Sequence, residues 1–164
     1  MSEAGEETNP PKDRKAGGFV RTLKGRALRL LSQREHSRQE LERKLQAFEE
    51  TPGELAQALD FLEAKGFINE QRVVESVVNR RSTKLGASRV RQELQAKGLP
   101  AEAIAEAVQN LRSTELERAR EVWRKKFGAP PPDAAARAKQ IRFLVGRGFA
   151  PEAVRRVVAG ADDM

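Results

Sequence analysis

Few side chains in this 164-residue chain are of kinds that do covalent or metal chemistry, and their spacing does not favour it. His36 is the single histidine and there is no cysteine. That removes thiolate zinc sites, His–His metal motifs, cysteine nucleophiles and a disulfide framework, and leaves a histidine triad only around His36. His36 lies in Gln33-Arg34-Glu35-His36-Ser37 with no nucleophile nearby, so it reads as an exposed residue just before a helix N-cap at Ser37. No G-x-x-x-x-G-K-[ST] loop occurs: Gly17-Gly18 stands alone, and Lys24-Gly25-Arg26 lacks the spacing that cradles phosphates. The adjacent carboxylates Glu49-Glu50 and Asp162-Asp163 read as solvated surface, and Trp123, four residues from both Ala119 and Phe127, reads as core. The expectation is a protein without catalytic residues, metal or cofactor.

What the chain has in quantity is Lys and Arg, 31 against 24 Asp and Glu, for a net charge of +7. The charge is blocked. Residues 21–48 carry eight basic and three acidic side chains, residues 49–76 two basic and seven acidic, residues 79–97 six basic and one acidic, and residues 112–147 ten basic and four acidic. The candidate contacts fall in the basic blocks: Arg38 and Lys44 in the first, Arg80, Arg81, Lys84, Arg89, Arg91 and Lys97 in the next, and Arg137, Lys139 and Arg142 in the last. Set along one side of a helical array, these residues would form a positive strip suited to a phosphate backbone or to acidic protein loops. Aromatic residues make up only 5% and Tyr is absent, so stacking platforms are scarce and nucleic-acid contact should be weak and mainly to phosphates.

The elements that would carry this strip are helices. From Arg21 onward apolar residues recur three and four apart, with Gly or Pro as punctuation and no strict alternation. A shift of 49 residues places Leu41 on Val90, Leu45 on Leu94, Leu55 on Ile104 and Leu59 on Val108. A shift of 50 places Leu94 on Leu144, Gly98 on Gly148, Ile104 on Val154 and Val108 on Val158. Gly98 and Gly148 suit left-handed positions after a helix, and Pro100 and Pro151 suit first turns, with Glu102 and Glu152 complementing the dipole. The predicted fold is all-α: a tandem array of three three-helix repeats, elongated and curved, over 21–65, 66–112 and 113–164, the last with a Pro-rich loop at 128–133. Residues 1–20, poor in apolar side chains, should form a disordered tail. With no apolar run near the ~18 residues of a membrane span and no apolar leader segment, the chain is expected to be a cytoplasmic monomer.

The stretch Gly66-Phe67-Ile68-Asn69-Glu70, then Val77-Val78-Asn79-Arg80-Arg81, Lys84-Leu85-Gly86 and Val90-Arg91-Gln92-Glu93-Leu94-Gln95-Ala96-Lys97-Gly98-Leu99, resembles the centre of the RecX regulatory proteins. Ala27-Leu28-Arg29-Leu30-Leu31 and Ser37-Arg38-Gln39-Glu40-Leu41 add to it, and the likeness covers about residues 24–160. The resemblance implies a tandem three-helix-repeat protein that binds the RecA recombinase filament on single-stranded DNA and modulates, mostly inhibits, its ATPase, recombinase and co-protease activities. It brings no catalytic residues. Independently of the resemblance, the residues also allow a helix-turn-helix DNA binder around Val90–Gly98 and the helix after Pro100, or a helical scaffold for an acidic protein.

Overall fold

The structure, a computed structural model, describes residues 21–160. The expected tail at 1–20 and the Asp162-Asp163 pair lie outside the described residues. Among the described residues there are nine α-helices and no strand: α1 Leu23–Gln33, α2 Arg38–Leu45, α3 Glu54–Ala64, α4 Glu70–Arg81, α5 Ala87–Ala96, α6 Ala101–Arg112, α7 Glu115–Lys126, α8 Ala134–Gly146 and α9 Pro151–Ala159. One turn of 3-10 helix, Gln46–Phe48, follows α2. The chain forms two compact units that part between Asn69 and Glu70.

The first unit packs α1, α2 and α3 around Ala27, Leu41, Leu45, Leu55, Leu59 and Leu62. Ile68, just beyond α3, joins that core. Ser37 starts α2 through a capping box: its hydroxyl accepts from the Glu40 N–H, and the Glu40 carboxylate accepts from the Ser37 N–H at 2.8 Å. Glu49, expected from its sequence position to be solvated surface, instead accepts from the Leu55 N–H at 2.9 Å and so serves the start of α3, whose N-cap Gly53 offers no side chain.

The second unit holds two further three-helix cores, Val73, Val77, Val90, Leu94, Ile104 and Val108 in α4–α6, and Ala119, Leu144, Phe149, Val154, Val157 and Val158 in α7–α9. The valine pairs are helical, since their spacing of three and four turns them onto the buried faces. In the third repeat Pro130, Pro131 and Pro132 supply no N–H and stop any helix there, and Asp133 starts α8 by accepting from the Ala136 N–H. Trp123 packs against the third core and donates its indole N–H to Gln140 at 2.8 Å. Phe127 meets Phe143 edge-on, with centroids 5.5 Å apart.

Candidate interaction surface

The basic helices α5 and α8 are held relative to each other by a joint that sequence periodicity does not announce. Glu115, first residue of α7, is buried at 5% exposure. One carboxylate oxygen accepts from the Ala87 N–H at 3.1 Å and the other from the Ala150 N–H at 2.9 Å, so a single side chain serves the starts of α5 and α9, neither of which has a side-chain cap. Arg118 faces the same carboxylate at 3.0 Å and donates to the carbonyls of Ser82, Leu85 and Leu111. Burial pulls the Arg118 guanidinium below its usual value, with Glu115 acting in the opposite sense. Beside this pair the backbones touch: the Gly86 N–H donates to the Arg147 carbonyl at 2.8 Å, and the Ser88 N–H to the Gly148 carbonyl at 3.3 Å.

Mounted on this frame, the predicted contact residues divide. Arg80 and Arg81 are exposed but lie 3.6 and 2.9 Å from the Glu93 carboxylate. Lys97 is buried at 9% exposure, its ammonium 3.9 Å from Glu93. Arg89 lays its stem along Gly148 and donates to the Gly146 carbonyl at 2.6 Å, so it belongs to the joint. Lys84, Arg91, Arg137, Lys139 and Arg142 have no ion pair among the described residues. All of these but Arg91 are exposed; Arg91 is half-buried beside Leu99, Ile104 and Arg112 along a groove between α5 and α6.

In the first repeat Arg38 is spent internally. Its guanidinium reaches Asp60 at 2.7 Å, Glu63 at 2.8 Å and Glu42 at 3.2 Å, which clamps α2 to α3. Burial by itself would lower its affinity for a proton, but the three carboxylates outweigh burial and raise it. His36 corrects the expectation of exposure: it is 1% exposed, with Nδ1 3.0 Å from the Arg34 carbonyl and Nε2 3.1 Å from the Lys44 ammonium. A lysine donates to a lone pair, so Nε2 accepts and the ring is the neutral tautomer whose Nδ1–H bonds to Arg34.

Burial lowers the affinity of His36 for a proton, and the Arg34 and Lys44 charges push the same way against the Arg34 carbonyl and Glu40. The folded state thus binds this proton more weakly than the unfolded chain, where the ordinary value is 6.5. Its contribution to stability is complete above that value and is lost as pH falls toward the folded one. Because it is the only histidine, its ring protons report directly by NMR, and they should titrate below 6.5 with the melting temperature lower at pH 5 than at pH 7. A midpoint above 6.5 would contradict the buried neutral ring.

Models of the first, second and third three-helix domains of RecX match residues 24–62, 69–108 and 113–158 in that order. The chain belongs to the RecX family. It is 53% identical to the regulatory protein RecX of Leptothrix cholodnii over 141 residues, covering 86% of this chain and 90% of that one. With the regulatory protein RecX of Ralstonia nicotianae it shares 46% over 141 residues, covering 86% and 89%. In fold it is similar to the crystal structure of RecX from Lactobacillus salivarius, with a TM-score of 0.72 at 19% identity over 87% of this chain and 96% of that one.

In RecX terms, the joint ties the second domain to the third. Sequence reasoning missed Glu115 because an acid opening a helix looks the same whether it meets solvent, as Glu102 and Glu152 do, or two buried amides. It placed Arg38 in the positive strip from the basic block around it, and the carboxylates of Asp60 and Glu63 that hold it lie 22 and 25 residues later, in the acidic block. Among the described residues no group of three or more His, Cys, Asp or Glu is arranged to hold a metal ion, and no helix is long and apolar enough to cross a membrane.

Proposed function

We propose that this chain binds the RecA recombinase filament on single-stranded DNA and restrains its ATPase, recombinase and co-protease activities, as a cytoplasmic monomer that catalyses nothing itself. The observation that carries this reading is the run of three consecutive RecX domain matches along the chain, whose relatives bear the name of regulatory proteins. The contact falls on the cations that lack an internal counter-charge, Lys84, Arg91, Arg137, Lys139 and Arg142, rather than on Arg38, Arg80, Arg81, Arg89 or Lys97, which are engaged within the fold. Lys44 contacts the His36 ring and forms no ion pair among the described residues.

The test is the single-strand-DNA-dependent ATPase of RecA with increasing amounts of this protein. The rate should fall, and Arg137→Glu with Lys139→Glu should raise the half-inhibitory concentration at least about tenfold, since like charges facing each other cost several kcal/mol. Helicity should hold, because Arg, Lys and Glu have similar helix propensities and both side chains are exposed. The control is Glu75→Lys with Glu106→Lys, two exposed acids of α4 and α6, which should inhibit as wild type does. A wild-type protein that leaves the ATPase untouched sinks the RecA reading, and an α8 variant that inhibits normally places the contact elsewhere.

A further inference from the structure

Between α1 and the end of α2 the first repeat has a cleft of about 240 Å³. Four cations line it, Arg21, Arg26, Arg29 and Lys44, and no carboxylate does. Leu30, Leu45 and Phe48 make its apolar wall. Arg21, Arg29 and Lys44 form no ion pair among the described residues, and the hydrogen-bond contact of Lys44 is with the neutral ring of His36. Like charges gathered against apolar side chains repel one another, and an anion that enters interacts favourably with all four. Glu50 and Glu54 line an adjoining cleft that shares Arg21, Arg26 and Phe48 with this one, and the Glu54 carboxylate accepts from the N–H groups of Glu50 and Thr51.

The three-helix fold does not require this arrangement. At the position of Lys44 in the second repeat stands Glu93, 49 residues later, and there the carboxylate neutralises the cations at the end of α4. The first repeat puts a cation where the second puts its counter-charge. The cleft also contains a stacking surface: the Arg26 guanidinium lies 3.7 Å over the Phe48 ring, and Phe48 remains 40% exposed. Guanidinium planes and aromatic rings are what unpaired bases stack on, and neither an acidic peptide nor the outside of a duplex offers a base face to them.

We propose that this cleft binds single-stranded nucleic acid, a phosphate of the backbone lodging among Arg21, Arg29 and Lys44 while a base stacks on the Arg26–Phe48 pair. The inference goes beyond the filament reading and stands without it, because binding is measured with no recombinase present. A short fluorescent oligothymidylate is titrated with the full chain by anisotropy at several salt concentrations. Arg21→Gln with Arg29→Gln should weaken binding at least about tenfold and flatten the slope of log K against log salt by about 1.4, two contacts at ~0.7 each for a single strand. Phe48→Ala should weaken it about fivefold or more with the salt slope unchanged. Arg155→Gln with Arg156→Gln removes the same charge from two exposed positions of α9 and should change affinity by no more than about twofold.

Circular dichroism of each variant checks folding, and Lys44→Gln, which removes an exposed cation at the helix end, gives a second reading of the cleft. Four results would each overturn the proposal: no binding by wild type, equal losses from the cleft pair Arg21 and Arg29 and from the α9 pair, a silent Phe48→Ala, or displacement by polyglutamate as effective as by unlabelled oligonucleotide. The last would point to an acidic protein partner in the same cleft.

Discussion

Glu115→Ala should lower the stability of the second unit by ~3–5 kcal/mol, the cost of breaking a buried ion pair from one side. Truncation leaves the Arg118 guanidinium without the carboxylate it faces, and it leaves the Ala87 and Ala150 N–H groups without their acceptor. Each unsatisfied buried donor carries a penalty of ~1–3 kcal/mol, more for the charged one. Glu115→Gln separates charge from shape. It keeps one carbonyl oxygen but turns an NH₂ toward a backbone N–H, so it should fall between wild type and Ala. Urea unfolding followed by helicity measures both. A loss under ~1 kcal/mol for the alanine variant would mean that water reaches the joint and that the carboxylate is one acceptor among several.

Gly86→Ala should cost at least ~3 kcal/mol, at the upper end of what overpacking does, although the backbone at Gly86 is ordinary for any residue at φ −82°. A methyl group there would stand 2.3 Å from the Gly148 carbonyl oxygen and 2.4 Å from the Phe149 nitrogen. Both obstacles are main chain, so no rotamer change relieves them; α5 must move away from the turn before α9 and give up the hydrogen bonds of Gly86 and Ser88. Gly148→Ala adds a second fault, because Gly148 sits at φ +94° and its added carbon would fall 2.7 Å from the Arg89 nitrogen. Gly146→Ala is the control: nothing lies within 4 Å of the new carbon, and as the last residue of α8 it should gain up to ~1 kcal/mol. Equal melting temperatures for Gly86→Ala and wild type would refute the close approach.

These two sites mark where sequence reading stops. The core was legible because Leu41, Val90, Leu94 and Leu144 recur at the repeat period and a helix buries residues three and four apart. Ser37 was legible as a cap because the acid it needs is three residues away. Local signals of that kind carry through to the fold. Gly86 looked like punctuation before a helix, and only the placement of the third repeat against the second reveals that it is a contact. His36 looked like a boundary residue, and its burial follows from Lys44 closing over it two helical turns on. The basic blocks hold no such information either: counting charge along the chain cannot show that Arg38 draws partners from the acidic block or that Arg80 and Arg81 share Glu93. Conversely, Arg21, Arg26 and Arg29 lie just before or on the first helix of a repeat, outside the second helices where the basic residues recur at the repeat period, and only the three-dimensional cleft gathers them with Lys44.

The Glu115 joint also bears on how such a protein can change its number of repeats. Arrays of stacked modules commonly grow and shrink by copying a unit, since each unit meets its neighbours through generic apolar faces. Here the third repeat supplies a carboxylate that the second repeat's α5 needs, and the second supplies a glycine that lets the turn before α9 approach. A copy of either repeat inserted between them would carry the wrong partner residues on one side, burying an unmatched acid or forcing a methyl group into main chain. Domains two and three should therefore be inherited as a pair, with substitutions at residues 86, 115, 118 and 148 accepted together or not at all.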